Sequence, residues 1–562
     1  MSESLTRTTL DGREEQMFPR LTPGEIDRLR RFGECRRFKA GDMLVRAGEE
    51  GHGLKILLSG QVEILQHDQT GRRIHIVTHE TGSFMGELAQ LSGRPSLVNA
   101  EALTDGEFIA IVPDRLRAVL VAEAELGERI MRALILRRVG LIERGAGPII
   151  VGVEANGDVL RLINFLRRNG HPFLRLDPEQ DSCGQALVDR FHVDERALPI
   201  VLCPSGKLLR NPTEDQLARC LGLVGPIDPD KLFDVAIIGT GPAGLATAVY
   251  AASEGLSVLA LDCRSFGGQA GASSRIENYL GFPTGISGMA LMGRAYSQAQ
   301  KFGVEMAIPD EAIRLHCGND PCKLELANGE EVQAKAIVIA SGARYRRLDV
   351  ADLHLFEGIS VHYWASPLEG DLCADNEVAL VGGGNSAGQA TVYLASKAKK
   401  VTLVARRPLS RTMSQYLVER IENLPNVDVV VGSEVAGLEG SEGKLAAVTL
   451  RDRASGEEQR REVSHLFSFI GAEPNTDWLA GTGIKLDPRG FVLTGADAGD
   501  DHYPLGTSRR GIFAIGDVRS GSVKRVAAAV GDGAQVVAAI HLYLAAAGEG
   551  PVIAAQPMPA AV

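Results

Sequence analysis

The sequence predicts a multidomain α/β chain that begins with an all-β part. Three observations carry this reading. The 562 residues correspond to roughly four domains of ordinary size. Residues 17–144 read as short strands, bounded by Gly or Asp-Gln-Thr-Gly turns, followed by a long helix: an N-terminal β-roll. Residues 232–546 alternate strand and helix, and twice a buried strand runs into a glycine-rich turn that opens a helix.

Composition narrows the function classes. Lys and Arg number 60 against 71 Asp and Glu, a net charge of −11, which argues against an extended phosphate-binding surface and so against nucleic acid as partner. Met1–Gln16 has no apolar core of the secretory kind. No run of about 18 uninterrupted apolar residues occurs. Val526–Gly548 comes nearest, but it carries Asp532, Gln535 and His541 and reads as a packed Ala-rich helix rather than a membrane span. The eight cysteines have no framework spacing, so a reducing, cytoplasmic location is expected.

Within 17–144, Phe38–Val45, Leu54–Leu58, Val62–Leu65 and Ile74–Val77 read as strands. Leu126–Glu143 places Ile130, Ala133, Leu134 and Leu141 at helical spacing with arginines between them. Gly82-Ser-Phe-Met-Gly86-Glu87-Leu88-Ala89, followed by Pro95, resembles the phosphate-binding cassette of cyclic-nucleotide-binding domains. That resemblance implies Glu87 on a ribose hydroxyl and backbone N–H groups around Gly86 and Leu88 on a cyclic nucleotide's phosphate. The family's arginine after the proline is here Ser96. Arg94 stands two residues earlier as a substitute, and loss of an Arg–phosphate pair is expected to weaken binding. No helix-turn-helix follows the long helix.

Residues 147–223 read as strand Ile149–Val153, a helix with apolar face Leu160, Ile163 and Phe165, strand Phe173–Leu176, a second helix, strand Pro199–Cys203, the short Lys207–Leu209 and helix Glu214–Leu221. The segment resembles a thioredoxin-like (thioredoxin/glutaredoxin) fold, with Leu198-Pro199-Ile200 at the family's cis-proline position. Ala155-Asn156-Gly157-Asp158 stand where its redox motif belongs, so a docking or spacer role is expected. Gly225-Pro-Ile-Asp-Pro-Asp230 reads as a linker.

Strand Leu232–Ile238 runs into Gly239-Thr-Gly241-Pro-Ala-Gly244 and a helix of small residues, the dinucleotide fingerprint in its proper context. Gly239 serves the turn, Gly241 the approach of a pyrophosphate and Gly244 helix–strand packing. Asp262, ending the next strand, has the spacing of a ribose-binding acid. A second copy runs from Glu377–Val381 through Gly382-Gly-Gly384-Asn-Ser386. Its following strand ends in Ala405-Arg406-Arg407 instead of an acid, which suits a 2′-phosphate and so NADPH over NADH.

Residues 232–546 resemble the low-molecular-weight thioredoxin reductases. The matching stretches are Gly267-Gly-Gln269, Ile276-Glu-Asn278-Tyr-Leu-Gly-Phe-Pro283, Ala340-Ser-Gly-Ala343, the second glycine turn, Arg406-Arg407 with Arg411, Gly471-Ala-Glu-Pro-Asn-Thr476 and Gly511-Ile-Phe-Ala-Ile-Gly516-Asp517. The resemblance implies two dinucleotide-binding (Rossmann-like) domains, one for FAD split over 232–346 and 472–546, and one for NADPH inserted at 347–471. It also implies a homodimer. It places Gly268, Gln269, Asn278, Gly516, Asp517, Arg525 and Val526 around FAD, and Gly382, Gly384, Ser386, Arg406, Arg407 and Arg411 around NADPH. The family's Cys-x-x-Cys is missing: Trp364 and Pro367 occupy the two cysteine positions in Val361-His-Tyr363-Trp364-Ala-Ser-Pro367-Leu-Glu-Gly370. Neither forms a thiolate. Cys317 and Cys322, flanking Gly-Asn-Asp-Pro, read as turn neighbours, and Cys263 as packed. The expectation is an NADPH-dependent flavoprotein oxidoreductase whose electron acceptor is a quinone, oxygen or a ferredoxin- or flavodoxin-like carrier. Two alternatives stand beside it: reduction of a thioredoxin-like protein through unusual cysteines, and a non-catalytic sensor of NADPH, redox state or cyclic nucleotide.

Overall fold

A computed structural model describes residues 13–49, 53–67, 73–86, 95–143, 147–153, 156–194, 197–316, 321–441, 443–499 and 503–546. Glu87, Leu88, Arg94, Ala155, Cys317 and the tail from Gly548 lie outside the described residues.

The N-terminal part is a β-roll of two four-stranded antiparallel sheets. One has the order Glu34–Phe38, Gly106–Ile111, Leu54–Ser59, Phe84–Met85. The other has the order Met43–Val45, Asn99–Ala102, Val62–His67, Arg73–His79. The expected single strand Phe38–Val45 is divided in two, because the chain turns at Lys39–Asp42, where Asp42 Oδ2 accepts from the Lys39 N–H at 2.8 Å. Helix Ala124–Glu143 closes the roll and buries Leu126, Ile130, Ala133 and Leu134.

Residues 147–223 form a four-stranded mixed sheet ordered Leu174–Leu176, Ile149–Val151, Ile200–Leu202, Leu208–Arg210, and the Leu198–Pro199 peptide is cis at the position marked from sequence. Asn156 caps helix Gly157–Arg168: its Oδ1 accepts from the N–H groups of Asp158 and Val159 at 2.9 and 3.2 Å. Leu166, Leu217 and Leu223 fall in the same buried cluster as Phe233, Leu259 and Leu315 of the following sheet. Polar ties reinforce the contact, including Arg168 Nη2 to Gly268 O at 2.9 Å and Arg219 Nη2 to Asp310 Oδ1 at 2.7 Å.

Asp310 gives this contact a pH signature. Burial pushes its pKa up to about 6 against the opposing pull of Arg219, and its Oδ2 has no hydrogen-bond partner among the described residues. A carboxyl that binds its proton more tightly when folded stabilises the fold below its unfolded pKa, and that stabilisation is lost as pH rises through about 6. Between pH 6 and about pH 4, the unfolding midpoint of the wild type is expected to gain on that of Asp310→Asn as the pH falls. A pH-independent difference between the two in denaturant melts would contradict the assignment.

From residue 232 the chain builds a mixed sheet and a parallel sheet, with a three-stranded antiparallel sheet, Ser433–Ser441, Lys444–Asp452, Glu458–Glu462, beside them. The first is ordered Glu305–Ala307, Val258–Leu261, Leu232–Ile238, Glu331–Ile339, Cys322–Leu326, Ala312–His316, with Ile512–Ala514 also pairing with Glu331–Ile339. The second is ordered Val361–His362, His465–Ser468, Glu377–Val381, Lys400–Ala405, Val427–Val431. The two passages between them, Ala343–Tyr345 and Ala472–Pro474, pair antiparallel. Helix Val526–Ala546 is long and apolar enough to cross a membrane by length and composition. It packs on helix Pro242–Ser253, where Gly533 sits so close that an added Cβ would lie 2.6 Å from Ala243 O.

Candidate active site

The first glycine turn fits a dinucleotide. Gly239 has φ +106°, and a Cβ on Gly244 would lie 1.9 Å from Gly239 O, so the turn and the helix–strand contact each exclude a side chain. In front of Gly241 the space is open: an added Cβ meets only Gly268 Cα, at 3.9 Å. This is the cradle a pyrophosphate needs at a helix N-terminus. The Asp262 carboxylate closes the loop, accepting from the Thr240 N–H and hydroxyl at 2.9 and 3.0 Å and from the Arg264 N–H at 3.1 Å. Gly516 N–H donates to Asp532 Oδ2 at 3.0 Å, and burial raises the pKa of the neighbouring Asp517. Arg525 and Val526 lie at the start of the last helix, and Asn278 is exposed. Gly244→Ala is expected to cost about 1–3 kcal/mol or more through overpacking and to abolish stoichiometric flavin, read as flavin absorbance per chain.

The second turn repeats the geometry. Gly382 has φ +153°, and nothing lies within 4 Å of a Cβ built on Gly384. Arg406, Arg407 and Arg411 are all exposed, yet they are not equivalent. Arg406 stands 3.5 Å from Glu434, which it shares with Arg453. Among the described residues the side chains of Arg407 and Arg411 make no hydrogen bond or ion pair, so theirs are the guanidiniums available to a phosphate. The sequence had treated Arg406 and Arg407 as the leading pair.

Between the two sheets lies a cavity enclosing about 390 Å³ of empty space, counting its open mouth. It brings together three residues marked from sequence: Gln269 on the first sheet's side, and Trp364 and Ser386 on the second's. Gln269 Nε2 donates to Ala343 O at 3.3 Å. Other lining residues were not marked, Arg275, Tyr345 and Phe469 among them. The Tyr345 hydroxyl pairs with Ser386, burial raises its pKa, and its ring meets Phe469 edge-on at 5.1 Å. Their signal in sequence was weak, since an aromatic ending a strand usually packs.

Trp364 is half-buried on this cavity. Its Nε1–H donates to Glu369 Oε1 at 2.8 Å, and Glu369 Oε2 accepts from the Ser366 N–H at 3.0 Å. Pro367 is exposed at the first position of helix Pro367–Leu372, which Ser366 and Glu369 cap reciprocally. The stretch is thus a complete local structure built without sulfur.

No thiol lines the cavity among the described residues. Cys373 is buried, and burial together with Glu369 pushes its pKa up to about 12. Cys263 was expected to pack. The residue is exposed, but desolvation of the thiol, then Asp262 and Glu311, push its pKa to about 12. Cys322 is buried at a strand start. One pairing was missed: Cys203 and Cys220 form a disulfide, 17 residues apart in sequence with Cα atoms 6.7 Å apart. It joins the end of a strand to the last turn of helix Glu214–Cys220, a proximity that only the tertiary fold creates. Cys203 is 2% exposed.

The comparisons with known proteins agree with this geometry. Residues 233–533 match the family model for pyridine nucleotide-disulphide oxidoreductases. The chain belongs to that family. A thioredoxin reductase from Bacillus subtilis is 34% identical over 315 residues, spanning 56% of this chain and 96% of that relative. An alkyl hydroperoxide reductase component from Pseudomonas putida is 32% identical, over 57% of this chain and 59% of its own length. The solved thioredoxin reductase of T. acidophilum aligns with a TM-score of 0.52 at 29% identity, covering 57% of this chain and all of that one. Upstream of the oxidoreductase part, residues 35–123 match the cyclic nucleotide-binding domain model. The chain is therefore a thioredoxin reductase-like oxidoreductase with a β-roll of the cyclic nucleotide-binding type at its N-terminus.

Proposed function

We propose that this chain is an NADPH-dependent flavoprotein oxidoreductase that delivers electrons to an acceptor other than a protein disulfide. FAD, when bound, supplies the group that takes a hydride from NADPH and passes electrons on singly or in pairs. The chain's residues prepare the site for it. The first glycine turn and the start of helix Val526–Ala546 hold phosphates, Gln269 and Tyr345 flank the ring site, and Arg407 and Arg411 select the 2′-phosphate.

The observation that carries the reading is Trp364. Its indole lines the cavity that Gln269 and Ser386 also line, at a position where the family resemblance implies a cysteine, and a buried carboxylate holds it at 2.8 Å. An exit without thiols leaves small diffusible acceptors, quinones or oxygen, or a one-electron carrier of the ferredoxin or flavodoxin type. Thioredoxin reduction through unusual cysteines has one disulfide to work through among the described residues, Cys203–Cys220, which does not line the cavity and whose Cys203 is buried. The test is NADPH oxidation by purified protein over a panel of acceptors: a quinone, ferricyanide, oxygen and thioredoxin. Turnover with the first group and none with thioredoxin is expected. Bleaching of the flavin by NADPH without turnover on any acceptor would instead make the chain a sensor.

A further inference from the structure

The second cavity lies inside the β-roll and carries chemistry the oxidoreductase site does not use. It encloses about 740 Å³ of empty space, counting its mouth, within the range of small-molecule sites. Its walls are mostly apolar, with Val45, Ile64, Ile76, Val98 and Leu141 among them. Four side chains break the apolar lining: Lys55, His79, Ser96 and Arg137. No Asp or Glu lines it among the described residues.

Arg137 is the unusual member. Helical spacing from Ile130 and Leu134 puts it on the buried stripe of helix Ala124–Glu143, and it is 8% exposed. Neutral carbonyls hold it: Nε donates to Met17 O at 2.9 Å, and Nη1 to Phe84 O and Gly86 O at 3.0 and 2.8 Å. The rings of Phe18 and Phe84 lie 5.2 and 4.5 Å from its Cζ. Among the described residues it has no carboxylate partner, and its Nη2 has no hydrogen-bond partner at all. Lys55 is equally buried, and its side chain makes no hydrogen bond or ion pair among the described residues. Burying two cations without a counter-charge is costly, and an anion placed between them offsets that cost. His79 adds no positive charge: burial, then Arg137, lower its pKa to about 3.

The remaining wall decides what kind of anion fits. The cassette resemblance puts a cyclic nucleotide's phosphate at position 96, which holds Ser96. There the Ser96 hydroxyl is turned onto Val98 O at 2.9 Å and its N–H onto Glu49 O at 2.9 Å. Among the described residues the cavity's cations are Lys55 and Arg137, and most of the remaining lining is hydrocarbon. We propose that this cavity binds an amphipathic carboxylate, its head between Arg137 and Lys55 and its apolar body along the walls of the roll.

The test is calorimetric titration of the flavin-loaded full chain with decanoate, 1-decanol, cyclic AMP and inorganic phosphate. Decanoate is expected to bind at one site per chain, at least about tenfold more tightly than decanol, since only the acid makes charge-assisted hydrogen bonds. Phosphate alone, lacking the apolar body, is expected to bind weakly. Lys55→Met is expected to weaken decanoate several-fold and leave decanol unchanged. Arg137→Met risks unfolding, because Arg137 joins three backbone segments, so Arg137→Lys is the companion variant, with reduced preference for the acid. Equal binding of decanoate and decanol, tighter binding of cyclic AMP than of decanoate, or decanoate affinity untouched in both Lys55→Met and Arg137→Lys would each overturn the proposal.

Discussion

Installing two thiols, by Trp364→Cys together with Pro367→Cys, is expected to raise NADPH-dependent reduction of a chromogenic aryl disulfide by about tenfold or more over the wild type. Trp364 faces the cavity shared with Gln269 and Ser386, and Pro367 opens the short helix three residues on. Only the nucleophile is missing, and thiolate is the species that exchanges with disulfides. Loss of the indole N–H leaves buried Glu369 with one fewer donor, a cost of about 1–3 kcal/mol, although Ser366 still serves the carboxylate. Chemical denaturation of the double variant should therefore show a lowered midpoint with flavin retained. Turnover with a quinone should change less than turnover with the disulfide. A variant that keeps its flavin, bleaches with NADPH and shows no disulfide activity would mean that the cavity is not the electron exit.

The second large effect concerns coenzyme choice. Arg407→Ala with Arg411→Ala is expected to raise the KM for NADPH on the order of a hundredfold and to leave the KM for NADH nearly unchanged. Each charge-assisted phosphate contact is worth about 1.5–3 kcal/mol, and these two guanidiniums have no competing partner among the described residues. Arg406→Ala should matter less, because Arg406 already faces Glu434 at 3.5 Å. Steady-state kinetics with both coenzymes measure the split. Equal losses for NADPH and NADH would show that the arginines support the loop rather than read the phosphate.

The features legible in sequence share a physical character. The two glycine turns were readable because a positive φ and a close helix–strand contact admit no side chain, as Gly239 and Gly244 show. The family's two cysteine positions were assigned to Trp364 and Pro367 on the register of flanking Tyr363 and Gly370. Most of the strands named from sequence lie within one to three residues of observed ones, while many others, Glu331–Ile339 and Ser433–Ser441 among them, were not named. What escaped depended on neighbours distant in sequence. Cys203 meets Cys220 only because a strand end and a helix end converge. Arg406 looked like Arg407 until Glu434 was seen across from it. Arg137 was passed over as one arginine among several on a long helix, although its spacing from Ile130 and Leu134 places it on the buried stripe.

Electron exit is measured most directly by rapid mixing. The flavin of the wild-type protein is first reduced anaerobically with one equivalent of NADPH and then mixed with either oxidised thioredoxin or a benzoquinone. Fast reoxidation by the quinone, with thioredoxin leaving the flavin reduced over the same interval, is the result the Trp364 geometry predicts. Reoxidation by thioredoxin at a rate matching or exceeding that of the quinone would contradict it.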